Sequence, residues 1–207
     1  KMIEFYNQGL DIHRATAASI YGIDYNMINP SQRRDAKTIN FGIIYGMSAW
    51  GLSEALNINP KDASDYIERY FEIFKGAKEF LDYQVAIARE KGYTKTLLNR
   101  RRYIDNINSP NINLRNFGER TAMNAPIQGT AADIIKLAMN KVKAKMVEAK
   151  LESLLIAQVH DELVFDVKPN ELEVLKDIVK TEMENVIKLN VPLVIEINYG
   201  KNWYETK

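Results

Sequence analysis

Apolar positions along this chain recur with two different periods. Through the first three quarters the spacing is helical. Ala63, Tyr66, Ile67, Tyr70, Phe71 and Phe74 recur every three or four residues and predict a helix over 61–74. The phrase Ile-Asn-Pro occurs at 28–30 and again at 58–60. Each copy sets an N-capping Asn before a Pro suited to the first helical turn, so helices are expected to start near Pro30 and Pro60. The first of these spans about 30–45, up to Gly46. Another spans 77–91 and stops at Gly92. Residues 93–104 suit short extended pieces, and the Asn-rich stretch 106–113 suits a loop. Helices follow over 114–124 and 130–150, with Pro126 expected to end or kink the first.

Near residue 154 the period changes. Residues 154–159 and 163–167 read as two strands, and His160-Asp161-Glu162 between them is short enough for a hairpin turn. A helix over 170–188 and a last strand after Pro192 complete the pattern, with Leu193, Ile195 and Ile197 alternating against polar neighbours. The fold class expected is α+β: a helical first part, then a small antiparallel sheet packed on helices. No internal repeat is visible.

Composition changes this picture little. The absence of cysteine excludes disulfides and thiolate metal sites, and two histidines argue against a His-rich zinc site. No apolar run reaches the roughly 18 residues of a membrane span. Charge is more informative than the net +1 suggests: residues 89–149 carry 12 Lys and Arg against 5 Asp and Glu. That basic middle suits a polyanionic partner as well as it suits a solvated helix face.

Two constellations carry candidate chemistry. Arg33, Lys37, Phe41 and Tyr45 are spaced by four on the helix 30–45 and form one slowly winding stripe roughly 18 Å long. Two cations come first, near the positive end of the helix dipole, and two aromatic rings follow. That order matches a nucleoside triphosphate, although an ordinary surface helix could carry the same residues. Gly42 and Gly46 beside the rings are expected to weaken the helix, which a close approach of a ligand or another backbone would explain. The second constellation is Asp161-Glu162 at the hairpin. Both carboxylates can approach one site there, and their hard oxygens suit Mg²⁺. The alternative is a merely polar turn.

The wording of these segments is more specific than their spacing. Arg33-Arg34-Asp35-Ala36-Lys37-Thr38-Ile39-Asn40-Phe41-Gly42-Ile43-Ile44-Tyr45-Gly46 resembles motif B of family A DNA polymerases, and Gln158-Val159-His160-Asp161-Glu162 resembles their motif C. Gly9-Leu10-Asp11-Ile12-His13, Arg100-Arg101-Arg102-Tyr103, the stretch Arg120–Asp133 and the terminal Gly200-Lys201-Asn202-Trp203 resemble further segments of the same family. Arg120, Asn124 and Gln128 repeat the four-residue spacing, with donors suited to a minor groove.

The resemblance implies the following. His13, Arg33 and Lys37 hold the phosphates of an incoming dNTP, and Phe41 and Tyr45 pack its sugar and base. Asp161 binds the catalytic Mg²⁺ ions with Glu162 beside it, so Asp161, Glu162 and Lys37 are the catalytic candidates. Arg120, Asn124, Gln128 and His160 follow the primer-template DNA, and the Arg100–Tyr103 run contacts template or phosphate. Residues 1–114 form mostly a fingers subdomain and 115–207 mostly a palm. The activity implied is template-directed addition of dNTPs to a primer 3′ end, in the cytoplasm beside the bacterial nucleoid or in an organelle. No phrase matching the family's motif A, which carries the other metal-binding Asp, is found. The chain is therefore expected to lack an N-terminal part with motif A and the thumb, and to be inactive alone. A single-subunit RNA polymerase and a non-catalytic nucleic-acid-binding remnant are the rivals. Phe41 and the Asp-Glu pair argue against the first, and the intact motifs against the second.

Overall fold

The computed structural model describes residues 1–206, which divide into two compact units between Gly129 and Thr130. The first unit opens with helices α1 (Met2–Asn7), α2 (Ile12–Tyr21) and α3 (Pro30–Ile44), then α4 (Ala49–Leu56), α5 (Pro60–Ile73) and α6 (Lys75–Lys91). Strands β1 (Tyr93–Lys95) and β2 (Arg101–Tyr103) follow as a two-stranded antiparallel hairpin.

Both Ile-Asn-Pro phrases start helices as the pattern predicts. Asn29 accepts from the Gln32 amide at 3.0 Å, and the Gln32 side chain accepts in return from the Asn29 amide at 3.0 Å, a closed capping box. Asn59 caps α5 through the Asp62 amide. The core of this unit gathers Ile20, Ile39, Ile43, Leu52, Ala63, Tyr70, Phe74 and Leu81 from α2 to α6. It fixes α3 from behind, because Ile39 and Ile43 point inward while Lys37, Phe41 and Tyr45 stay at least partly exposed.

Helix α7 (Ile112–Glu148) corrects one expectation. It runs through Pro126 without ending, where two helices were predicted. A proline inside a helix costs about 3 kcal/mol. Packing on either side outweighs that cost. Ala122 and Met123 are seated in cores of the first unit, and Val142 and Met146 in the core of the second.

The second unit adds strands β3 (Leu154–Val159) and β4 (Glu162–Asp166), an antiparallel hairpin, and helix α8 (Leu172–Glu184). Val142, Met146, Leu175 and Val179 form its core, with Phe165 and Ile195 against it. A bulge at Ile156 shifts the register between Leu155 and Ala157. Glu171, just before α8, accepts from the Glu152 and Ser153 amides and the Ser153 hydroxyl at 2.6–2.9 Å, which pins the start of β3. The strand expected over 193–198 does not form. A strand needs an edge to pair with, and here the Ile195 amide lies 3.4 Å from the Glu184 carboxylate instead. The α+β class stands, with two separate two-stranded sheets.

Candidate functional site

In the first unit, α2 and α3 bring His13, Arg33, Lys37, Phe41 and Tyr45 onto one surface. The aromatic part is a short stack. The Phe41 and Tyr45 rings lie 6.4 Å apart, inclined by 19°, and the His13 ring sits 5.8 Å from Phe41. The Lys37 ammonium lies 6.0 Å from the Phe41 ring, at the limit of a cation–π contact. Phe41 and Tyr45 are each 44% exposed, so part of each side chain is reachable from solvent.

Arg33 is braced by Asp11, a residue sequence reasoning quoted in a motif but did not single out. One Asp11 oxygen caps α2 by accepting from the His13 and Arg14 amides at 2.9 and 3.0 Å. The other accepts from Arg33 Nε at 2.7 Å. Burial pushes the Asp11 carboxyl up, but the backbone amides and the Arg33 guanidinium outweigh it and hold it below the usual carboxylate range. A carboxylate at an N-cap, facing an arginine on the next helix, is the signal that could have found it.

His13 faces the other way along α3. Its Nδ1 lies 3.0 Å from the Asn40 amide nitrogen. Burial depresses its pKa; Asp11 opposes that, and Arg33 and Lys37 add to it. The folded environment therefore disfavours the protonated ring.

The two glycines of the stripe have different roles. Gly42 lies inside α3, where an added Cβ would come within 3.1 Å of Met47. Gly46 lies just past the helix, at the expected boundary, so it does not weaken α3 as Gly42 does. It follows the C-cap with φ +68°, and a Cβ there would sit 2.8 Å from Arg120 Cγ. The close neighbour is thus α7. Tyr45 joins the same helix, its hydroxyl accepting from Gln128 Nε2 at 3.1 Å. Because α7 is unbroken, Arg120, Asn124 and Gln128 share one stripe despite Pro126. Arg120 and Gln128 are exposed, whereas the Asn124 amide nitrogen is buried without a protein hydrogen-bond partner. In the β1–β2 hairpin the Arg101 guanidinium lies 4.8 Å from the Tyr93 ring.

In the second unit the β3–β4 hairpin closes through a two-residue turn, His160-Asp161, between the paired Val159 and Glu162. His160 takes the left-handed φ of 53°, and its carbonyl accepts from Gln158 Nε2 at 3.0 Å. The turn sets Asp161 at the tip, exposed, with Glu162 opening β4 beside it. These hard oxygen donors fit part of a Mg²⁺ ligand set. Among the described residues no group of three or more His, Cys, Asp or Glu is placed to hold a metal.

Comparison with known proteins identifies the family. The model of "DNA polymerase family A" matches residues 1–205. The DNA polymerase I of Caldicellulosiruptor bescii is 49% identical over 207 residues, all of this chain and 24% of that protein. That of Geobacillus stearothermophilus is 47% identical over 206 residues, again 24% of its length. The chain thus spans about a quarter of the curated relatives it matches. Among solved structures, the polymerase domain of Pol1 from M. smegmatis, in complex with DNA primer-template and dNTP, superposes with a TM-score of 0.96 at 40% identity. The match covers 99% of this chain and 36% of that one. On the full-length family match and these relatives, the chain belongs to DNA polymerase family A.

Proposed function

We propose that this chain is the nucleotide-binding and motif C part of a DNA-directed DNA polymerase of the polymerase I type, adding dNTPs to a primer 3′ end in DNA replication and repair. The observation that carries the reading is the α3 surface. Two cations and two partly exposed aromatic residues run along α3 and its C-cap, with Arg33 held by Asp11 and His13 beside Phe41. Arg33, Lys37 and His13 bind the triphosphate. Phe41 and Tyr45 pack the sugar and the nascent base pair.

Asp161 and Glu162 are the metal ligands of the proposal. Mg²⁺, when bound, supplies activation of the primer 3′-oxygen and neutralisation of the departing pyrophosphate. The protein's own part is to orient the triphosphate and to present the carboxylates. Two adjacent carboxylates are a partial set, so a segment outside these 207 residues is proposed to supply the remainder, including a motif A Asp. That the relatives are about four times longer supports this. Arg120, Asn124, Gln128 and His160 are assigned to primer-template DNA, where donors to the degenerate minor groove would check pair shape without reading sequence. The Asn124 nitrogen, buried and unpartnered, would have to turn outward to take part. We assign residues 1–114 mostly to fingers and 115–207 mostly to palm. No helix among the described residues is long and apolar enough to cross a membrane. The bacterial polymerase I relatives support a location in the cytoplasm, beside the DNA.

Lys37→Ala in the full-length polymerase tests the stripe. The ammonium should bind the triphosphate more tightly in the transition state than in the ground state, so kcat should fall and KM for dNTP rise. The expected loss in kcat/KM is about 2–4 kcal/mol. An unchanged kcat/KM in a folded variant would remove Lys37 from the triphosphate site.

A further inference from the structure

Asn40 follows Lys37 by three residues on α3 but turns toward the interior, where it is 6% exposed. The rest of that buried face is Ala36, Ile39, Gly42 and Ile43. An amide among such neighbours costs stability unless its hydrogen bonds are made. Those of Asn40 go to two residues of α2. The hydroxyl of fully buried Thr16 lies 3.2 Å from both amide heavy atoms, and His13 Nδ1 lies 3.0 Å from Nδ2.

A neutral imidazole has one donor and one acceptor nitrogen, and the partner of one decides the role of the other. An Asn40 N–H pointed at Nδ1 makes Nδ1 the acceptor and leaves the proton on Nε2. A phosphate oxygen can only accept, so the Nε2–H form is the one that can bind it. With the amide reversed, Nδ1 would carry the proton and Nε2 would present a lone pair to an anion. Protonating the ring is disfavoured first by its burial and then by Arg33 and Lys37, with Asp11 opposing them.

We propose that Asn40 is a positioning residue for nucleotide binding: its hydrogen bond to Nδ1 holds His13 in the neutral Nε2–H tautomer and leaves that N–H free for the triphosphate. The proposal rests on the reading of His13 as a phosphate contact.

Two measurements test it. In the 207-residue chain, labelled with ¹⁵N-histidine and with His160→Gln to assign the signals, long-range ¹H–¹⁵N spectra at about pH 8, above the ordinary imidazole range, report which His13 nitrogen is protonated. Nε2 should carry the proton. In the isosteric Asn40→Asp, whose carboxylate only accepts, the proton should move to Nδ1. A proton on Nδ1 in the unsubstituted chain, or no change in Asn40→Asp, overturns the proposal. In the full-length polymerase, Asn40→Leu should lower kcat/KM for dNTP by about tenfold when His13 is present and by little in a His13→Ala background. Equal losses in both backgrounds would mean a purely structural amide and also overturn it. Should His13→Ala alone leave kcat/KM unchanged, the phosphate reading of His13 fails instead, and the spectra still decide whether Asn40 holds the ring. Asn40→Asp keeps the test open if Asn40→Leu does not fold.

Discussion

At the scale of single residues the proposed chemistry concentrates on Asp161. The carboxylate stands exposed at the tip of a two-residue turn. Asp161→Asn keeps side-chain size and turn propensity but removes the charge. In the full-length polymerase, turnover should fall almost to nothing while primer-template affinity is kept, because duplex affinity comes mainly from cationic contacts to phosphate. Single-turnover extension, a DNA-binding titration and a melting curve on one preparation check this. Normal extension by the folded variant would end the metal assignment. Asp11 and Asn40 mark the limit of reading residues singly. Each acts on a second residue far along the chain, Asp11 on Arg33 and Asn40 on His13, and only the pairing gives it meaning.

Among the elements, the junction of α2 with α3 decides how the site is held. Asp11 both caps α2 and grips Arg33 across to α3. Its carboxyl titrates lower in the folded chain than in the unfolded one. The stabilisation is therefore complete above the unfolded value near 3.9 and disappears as the pH falls through the folded value. The His13 pKa is also lowered on folding. It contributes in the same direction from a higher starting point, with stability complete above about 6.5 and declining as the pH falls. Asp11→Asn keeps a capping oxygen but loses the ion pair. Thermal unfolding followed from neutral pH downward should show the variant less stable near neutrality and the difference closing below about pH 4. The gap should stay under about 1 kcal/mol, because Arg33 and Asp11 are 42% and 32% exposed. Parallel pH profiles would disprove the coupling.

For the whole molecule, the prediction concerns what 207 residues can do alone. Two-metal nucleotidyl transfer draws carboxylates from more than one segment, and here the proposed ligands are the neighbours Asp161 and Glu162. Purified chain, given primer-template, dNTPs and Mg²⁺, should not extend the primer. Robust extension, with contaminating polymerase excluded, would overturn the proposed need for a further segment.

Signals confined to neighbouring residues could be read along the chain. Ile-Asn-Pro starts a helix because the capping oxygen and the amide it accepts from are two or three residues apart. The β3–β4 hairpin is equally local, and α3 carries its stripe because four residues make about one helical turn. The wording of motifs B and C pointed to the family that the comparisons then established. Helices α2 and α4 were not read, although Asp11 and Ser48 cap them locally. Other features were decided by tertiary structure alone. Continuity through Pro126 depends on cores that draw residues from distant helices. The expected strand over 193–198 does not form, although the two-stranded β3–β4 sheet leaves edges it could have joined, so tertiary placement and not its alternating pattern decided the outcome. Gly46 takes its meaning from Arg120, 74 residues further on. The sequence by itself determined the elements whose signals are local, such as α3, α5 and the β3–β4 hairpin. Which side chains meet across them depended on packing, since burial and pairing are properties of two surfaces at once.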